Sequence, residues 1–177
     1  MNLTEIKKEL KKYLDECFLP YQKNGVLKSW ESYQSEKGSI VERPTVMLST
    51  VAELIEKYRP INVLTNKKIK DTEIKKCTGV DVDVLKNRVS VFSNYDKEAI
   101  SKLCLCFGLK KVKANRLFAA ARITIKPSQN INDAVISFFI KEGKYYSLDF
   151  TENVKIYAEC LVEAKKYAAS KGVFVGE

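Results

Sequence analysis

The sequence predicts an α+β fold with a mainly helical N-terminal and central part, followed by a three-stranded antiparallel meander and a long C-terminal helix. Two observations support this prediction. Apolar residues recur at helical spacing in several stretches before residue 121, whereas short alternating or β-rich runs separated by turn residues occupy residues 122–150. This change of period suggests a helical region over 1–121 and a second unit over 122–177, although the two can also form one continuous domain.

The first predicted helices lie in the N-terminal third of the chain. Residues 3–18 place a set of apolar side chains on one face: Leu3, Ile6, Leu10, Tyr13, Leu14, Cys17 and Phe18. Residues 21–47 give no clear prediction. Thr50 and Glu53 have the spacing of a capping box, which predicts a helix from there to about Tyr58.

Residues 94–126 contain a predicted helix pair and most of the functional signal. The first helix has an apolar stripe, Gly108 follows it directly, and a second helix begins near Lys110. One face of the second helix is apolar: Ala114, Leu117, Phe118 and Ala121. No acidic residue occurs between Glu98 and Asp133. That interval contains seven cationic residues: Lys102, Lys110, Lys111, Lys113, Arg116, Arg122 and Lys126.

The pattern resembles the helix-turn-helix motif of DNA-binding proteins over about residues 96–121. The resemblance implies that Leu103 and Phe107 pack the first helix, that Cys104 takes the small position where the helices cross, and that the second helix enters the major groove. The candidate nucleic-acid-binding residues are Lys110, Lys111, Lys113, Asn115, Arg116 and Arg122. The alternative interpretation is a pair of packed helices with an ordinary solvated lysine face.

A weaker copy of the same pattern lies at about residues 71–90, around Gly79. Lys75 takes the position of a small residue there, and Asp81 and Asp83 would face the groove, where carboxylates repel phosphates. In a repressor-like arrangement of the phage type, this pair would contact DNA and the helix ending at Gly108 would follow it. The secondary candidates are then Lys86, Asn87 and Arg88. The two aspartates place this arrangement second.

The C-terminal third predicts strands over 122–126, 134–140 and 145–150, then a helix from about Asp149 to Ser170. Residues 173–175 suggest a further short strand. Phe138 and Phe139 are expected on opposite faces of the central strand, both largely buried. Because one helix covers only one face of a sheet, the other face must meet the helical region or a second copy of the chain, so a homodimer is an alternative.

The positive charge indicates a polyanionic partner. Residues 61–126 hold 15 Lys and Arg against 6 Asp and Glu, which accounts for the whole net charge of +9. Neutralising phosphates with such a surface releases condensed counterions. Duplex DNA is favoured, and RNA is possible with four aromatic residues as stacking groups: Phe138, Phe139, Tyr145 and Tyr146. A different class is a non-catalytic inhibitor or adaptor, for example of a mobile element, whose basic face meets an acidic protein.

The composition argues against catalysis, metal sites and cofactors. Histidine is absent, the seven glycines form no phosphate loop, and the five cysteines are scattered. Cys104 and Cys106 would point about 200° apart on a helix, so we expect small buried hydrophobes rather than ligands. No signal peptide or membrane-spanning run is recognised, and the expected location is cytoplasmic, or associated with a nucleoid or nucleus, rather than secreted.

Overall fold

The described residues are mostly helical and contain one small antiparallel sheet. A computed structural model describes these residues: 2–18, 50–62, 65–86, 95–143, 145–147 and 149–172. The described elements are α1 (Leu3–Phe18), α2 (Val51–Tyr58), β1 (Ile61–Asn62), β2 (Lys67–Lys68), α3 (Asp71–Thr78), α4 (Val82–Lys86), α5 (Lys97–Cys106), α6 (Lys111–Ala120), α7 (Ile131–Glu142) and α8 (Phe150–Ser170). The predictions for 21–47 and 173–175, and the candidates Asn87 and Arg88, lie outside the described residues.

The first two predicted helices are confirmed. α1 buries Ile6, Leu10 and Leu14, which all belong to its predicted apolar face. α2 begins with the predicted capping box: the Glu53 backbone N–H donates to the Thr50 hydroxyl at 3.2 Å, and the Thr50 backbone N–H donates to the Glu53 carboxylate at 2.9 Å. Both helices therefore form where local sequence signals and apolar spacing agree.

Both glycine-centred helix pairs are also present. Gly79 lies between α3 and α4 with φ 72°, and Gly108 lies between α5 and α6 with φ 60°. After α5, the Gly108 N–H donates to the Leu105 carbonyl and the Leu109 N–H donates to the Cys104 carbonyl, both at 2.9 Å. These bonds satisfy carbonyls that a helix end leaves without intrahelical partners. Cys104 and Cys106 are buried, as predicted.

The predicted central strand over 134–140 is wrong, because these residues lie inside α7. The Asn130 side chain caps this helix by accepting from the N–H groups of Asn132 at 2.8 Å and Asp133 at 3.2 Å. Gly143, with φ 67°, ends it. α7 contacts α1, α5, α6 and α8, so its apolar residues are buried on nearly all sides. Such a helix has no single apolar stripe, and periodicity cannot distinguish it from a buried strand.

The flanking strands of the predicted meander are not formed in the described residues. Residues 123–126 have no regular secondary structure, and residues 145–147 form an irregular connection to α8. The sheet in the described part of the chain is instead a hairpin in which Ile61 pairs with Lys68 and Asn62 pairs with Lys67. Strands of two residues are too short to show alternation, so the sequence did not predict them.

One cluster of buried residues extends from Ile6 in α1 to Ala168 in α8. α8 lies against α1, and two surface ion pairs and one hydrogen bond connect them: Lys7 to Glu159 at 3.5 Å, Lys11 to Glu163 at 2.7 Å, and the Tyr167 hydroxyl donating to Asp15 at 2.9 Å. The division of the chain near residue 121 stays a prediction.

The sequence argument for a homodimer depended on a sheet with one uncovered face. Phe138 and Phe139 are both largely buried, as predicted, but on α7, which four helices surround. Residues 134–140 therefore form no sheet face that a second copy of the chain could cover. In the described ranges, none of the helices combines the length and apolar character needed to cross a membrane.

Candidate nucleic-acid interface

α6 separates an apolar face from a cationic one. Ala114, Leu117 and Phe118 are buried, which agrees with the predicted apolar face. The remaining arc is exposed: Lys111, Val112, Lys113, Asn115, Arg116 and Ala119. Val112 is 67% exposed, which shows how far this face projects from the core. We refer to Lys110, Lys111, Lys113, Asn115 and Arg116 as the basic face.

The cations of the basic face have no carboxylate partners among the described residues. Lys110, Lys111 and Arg116 form no ion pair there, and the Lys113 ammonium lies 5.7 Å from the centre of the Tyr58 ring. Unpaired surface cations keep their full charge available to an external anion. A cation–π contact holds Lys113 without neutralising it.

Arg122 lies just beyond α6 rather than on its helical arc. Its φ of 57° is left-handed, its N–H donates to the Ala119 carbonyl at 3.0 Å, and the next N–H, from Ile123, donates to the Phe118 carbonyl at 2.8 Å. This is the usual way for a helix to end, although glycine is more common at this position. The cationic side chain is exposed near the negative end of the helix dipole.

Lys110 precedes α6 as its N-cap residue and also contacts α7. A Cβ atom placed on Gly143 would lie 2.7 Å from Lys110 Cγ, so the aliphatic part of Lys110 packs directly over the glycine that ends α7. Two requirements thus favour glycine at 143, the left-handed φ and the lack of space. Lys110 therefore helps to position α6 as well as adding charge.

Tyr146 fixes the turn between α5 and α6. Its hydroxyl donates to the Leu109 carbonyl at 2.9 Å, and its ring lies 3.7 Å from the position that a Cβ on Gly108 would occupy. Burial raises the pKa of the Tyr146 phenol, which stays protonated and acts as a donor. The sequence missed this role because it assigned Tyr146 to a strand.

Asp133 connects three parts of the site. Its carboxylate, only 3% exposed, accepts from the Lys97 ammonium at 2.6 Å and from the Lys126 backbone N–H at 2.7 Å. Asp133 lies in the first turn of α7, Lys97 begins α5, and Lys126 belongs to the segment after α6. The sequence signal that could have identified Asp133 is its position as the first acidic residue after the basic stretch. Asp133 therefore fixes the α5–α6 pair relative to α7.

The second helix pair differs because two of its cations, Lys75 and Lys86, are engaged by carboxylates. The Lys86 ammonium contacts Glu56 at 2.7 Å and Asp71 at 3.0 Å, and it is only 22% exposed. The hydrogen bond from Lys86 to Glu56 is the main reason that the pKa of Glu56 is lowered. Lys75, which the sequence identified as an obstacle to helix crossing, is exposed and pairs with Asp81 at 2.7 Å. Lys86 is therefore part of an internal ion cluster.

Three of the four aromatic residues proposed as RNA-stacking groups lie in the core. Phe138, Phe139 and Tyr145 are at most 6% exposed, and the rings of Phe138 and Tyr145 stack at 4.5 Å. Tyr146 is engaged at the α5–α6 turn. The burial of Phe138, Phe139 and Tyr145 contradicts a stacking role for these three, since base stacking requires an open ring face, whereas a stacking role for the half-buried Tyr146 stays a prediction.

Comparisons with models of protein families, with curated proteins and with solved structures find no match to this chain. The described residues contain no group of three or more Cys, Asp or Glu side chains arranged to hold a metal ion. The geometry and charge of the residues themselves are thus the basis for a functional proposal.

Proposed function

We propose that the protein is a non-enzymatic nucleic-acid-binding protein, a DNA-binding regulator that holds duplex DNA against the basic face of α6. The observation that supports this proposal is the set of exposed cations on α6 without carboxylate partners among the described residues. Such cations replace the counterions condensed on DNA, and the release of those ions drives binding. The helix pair around Gly108 supplies the geometry, since the second helix of such a pair can lie in the major groove.

The side chains of the basic face differ in what they can recognise. Arg116 offers a planar fork suited to guanine O6 and N7 or to a phosphate, while the Asn115 amide suits adenine N6 and N7. Lys111 and Arg122 flank them and suit backbone phosphates. Asn115 would therefore contribute sequence preference, whereas Lys111 and Arg122 would contribute affinity for any duplex.

The α5–α6 pair is preferred to the α3–α4 pair because of charge. Lys75 and Lys86 already contact carboxylates, and moving Lys86 to a phosphate would leave Glu56 and Asp71 without that partner. Arg88 lies outside the described residues. Its replacement by alanine allows the contribution of the α3–α4 pair to binding to be compared with that of the α5–α6 pair.

Fluorescence anisotropy of a labelled duplex over a range of salt concentrations tests the proposal. For Lys111→Ala and Arg122→Ala we expect weaker binding to every sequence and a salt slope lower by about one unit each. For Asn115→Ala we expect a loss of roughly 1–3 kcal/mol on a preferred duplex and unchanged binding to random duplex. The matched control is the pair Lys165→Ala and Lys166→Ala, two exposed lysines on α8.

The outcomes separate the competing proposals. If Arg88→Ala removes binding while the quadruple alanine variant of Lys111, Asn115, Arg116 and Arg122 binds normally, the α3–α4 pair is the reader. If single-stranded RNA displaces the labelled duplex more effectively than unlabelled duplex does, the ligand is RNA rather than DNA. Absence of all nucleic-acid binding at ~50 mM salt would refute the proposal and favour an acidic protein partner.

A further inference from the structure

The β1–β2 hairpin carries lysines that the basic face of α6 does not include. Lys67 and Lys68 occupy the whole of β2, and both are exposed. Lys57, in the last turn of α2, is exposed as well. None of the three forms an ion pair with a described carboxylate. A hairpin of this size is only marginally stable alone, so it must depend on attachment to the rest of the fold.

Two side-chain hydrogen bonds hold the hairpin against the end of α2, and one backbone bond between its arms extends the strand pairing by one residue. The Arg59 guanidinium, a buried group, donates to the Ile69 carbonyl at 2.9 Å. The Ile69 N–H donates to the Pro60 carbonyl at 3.0 Å, and the Lys68 ammonium donates to the Glu56 carbonyl at 2.8 Å. The Glu56 carbonyl belongs to the last turn of α2, where carbonyls lack helical partners and a cation is favourable.

The basic face of α6 meets the same turn of α2. The Lys113 ammonium lies 5.7 Å from the centre of the Tyr58 ring, two residues beyond Glu56. Ammonium groups from α6 and from the hairpin thus both contact the turn formed by residues 56–58. Lys57 lies between their two points of contact in the sequence. The end of α2 is therefore a cationic surface to which α6 and the hairpin both contribute, through Lys113 and Lys68.

The carboxylates near this turn do not neutralise that surface. The Glu56 carboxylate contacts Arg59 and Lys86, both at 2.7 Å, on the internal ion cluster. The Glu53 carboxylate accepts from the Thr50 backbone at the other end of α2. The Asp71 carboxylate, the acidic group closest in sequence to the hairpin lysines, likewise contacts Arg59 and Lys86.

We propose that the hairpin is a second phosphate-contacting element of the same nucleic-acid surface, with Lys57, Lys67 and Lys68 holding the duplex backbone beside the groove that α6 enters. This proposal rests on the proposed DNA-binding function. It defines the ligand as a duplex whose phosphate backbone is contacted at more than one place. Lysine ammonium groups contact phosphates as point charges and carry no base preference. The hairpin therefore contributes affinity, and the sequence preference stays with α6.

The test is the salt dependence of duplex binding by the full chain with Lys57→Ala and Lys67→Ala combined. These two lysines have no described ion-pair partners, whereas Lys68 also supports the end of α2 and is left intact. We expect the salt slope to fall by about 1.8, that is ~0.9 for each lost phosphate contact, equally for random and preferred duplexes. The Lys165→Ala and Lys166→Ala control on α8, which removes the same charge, should leave the slope unchanged.

The results distinguish the two proposals. A normal slope in the Lys57 and Lys67 variant, together with a reduced slope in the Lys111 variant, refutes the hairpin proposal and retains DNA binding by α6. An equal fall in the variant and the α8 control also refutes it, because net charge alone would then explain the loss. Absence of duplex binding by the unaltered chain overturns both. Circular dichroism and thermal unfolding confirm that each variant is folded, and Lys67→Glu should weaken binding more than Lys67→Ala.

Discussion

Replacement of Asp133 by alanine should destabilise the protein by about 2–4 kcal/mol. The change leaves the Lys126 N–H without its acceptor, which costs about 1–3 kcal/mol for a group that is only partly reached by water. The Lys97 ammonium is 43% exposed and can be rehydrated, so the lost ion pair adds under about 1 kcal/mol. Loss of a carboxylate from the first turn of α7 adds about 0.3–1 kcal/mol.

Urea unfolding followed by circular dichroism measures this cost as a change of midpoint at constant slope. Asp133→Asn should cost roughly half as much, because its amide oxygen can still accept from Lys126 while its charge is lost. Asp83→Ala is the matched control, since Asp83 is an exposed carboxylate in the first turn of α4. If Asp133→Ala costs no more than Asp83→Ala, the assigned role of Asp133 as the connection between α5, α7 and the segment after α6 is incorrect.

Three further predictions concern the core, the ion cluster and the thiols. Phe139→Ala should cost about 3–5 kcal/mol of stability in the same urea assay, because Phe139 is 1% exposed. The control Val162→Ala, at a residue that is 54% exposed, should cost under ~0.5 kcal/mol. Equal costs would contradict the burial of Phe139. Burial alone would raise the pKa of Asp71, but hydrogen bonds from Lys86 and Arg59 lower it, and the pKa of Glu56 is lowered mainly by Lys86. The stability that these depressed pKa values contribute is fully present above about pH 5 and is lost as the pH falls through them. The free energy of unfolding of Lys86→Met should therefore differ from that of the unaltered protein more at pH 7 than at pH 3. A difference that stays constant with pH would refute this. Burial raises the pKa of Cys106 to about 12 and that of Cys160 to about 11. Iodoacetamide at pH 8 should therefore modify both thiols only after unfolding, and mass spectrometry can detect the modification. Rapid labelling of the folded protein would contradict their burial.

Local signals were sufficient for the helices near the start and middle of the chain. Thr50 and Glu53 defined the beginning of α2, and Gly108 defined the end of α5. In each case an apolar stripe and a capping or terminating residue indicated the same structure. α2 buries one face only, whereas residues 103–106 of α5 are all buried, so its prediction depended on the glycine that ends it.

The region of α7 could not be predicted in this way. Residues 134–140 are apolar on nearly every side, so no period distinguishes a helix from a strand, and the deciding signals were the caps at Asn130 and Gly143. For the candidate site, the exposed arc of α6 followed from helical geometry. The Asp133–Lys97, Lys86–Asp71 and Tyr146–Leu109 contacts did not, since each joins residues at least 15 positions apart. Their pairing depends on the tertiary structure, which local sequence does not encode.

The packing of α1 against α8 has a consequence for synthesis of the chain. The hydrogen bond between Asp15 and Tyr167 connects residues 152 positions apart. At a translation rate of 5–20 residues per second, roughly 8–30 s separate the appearance of these two helices. During that interval α1 lacks its α8 partner, and its other partner among the described helices, α7, also lies in the C-terminal third of the chain. Burial of the N-terminal helix is therefore a late event in the life of each new molecule.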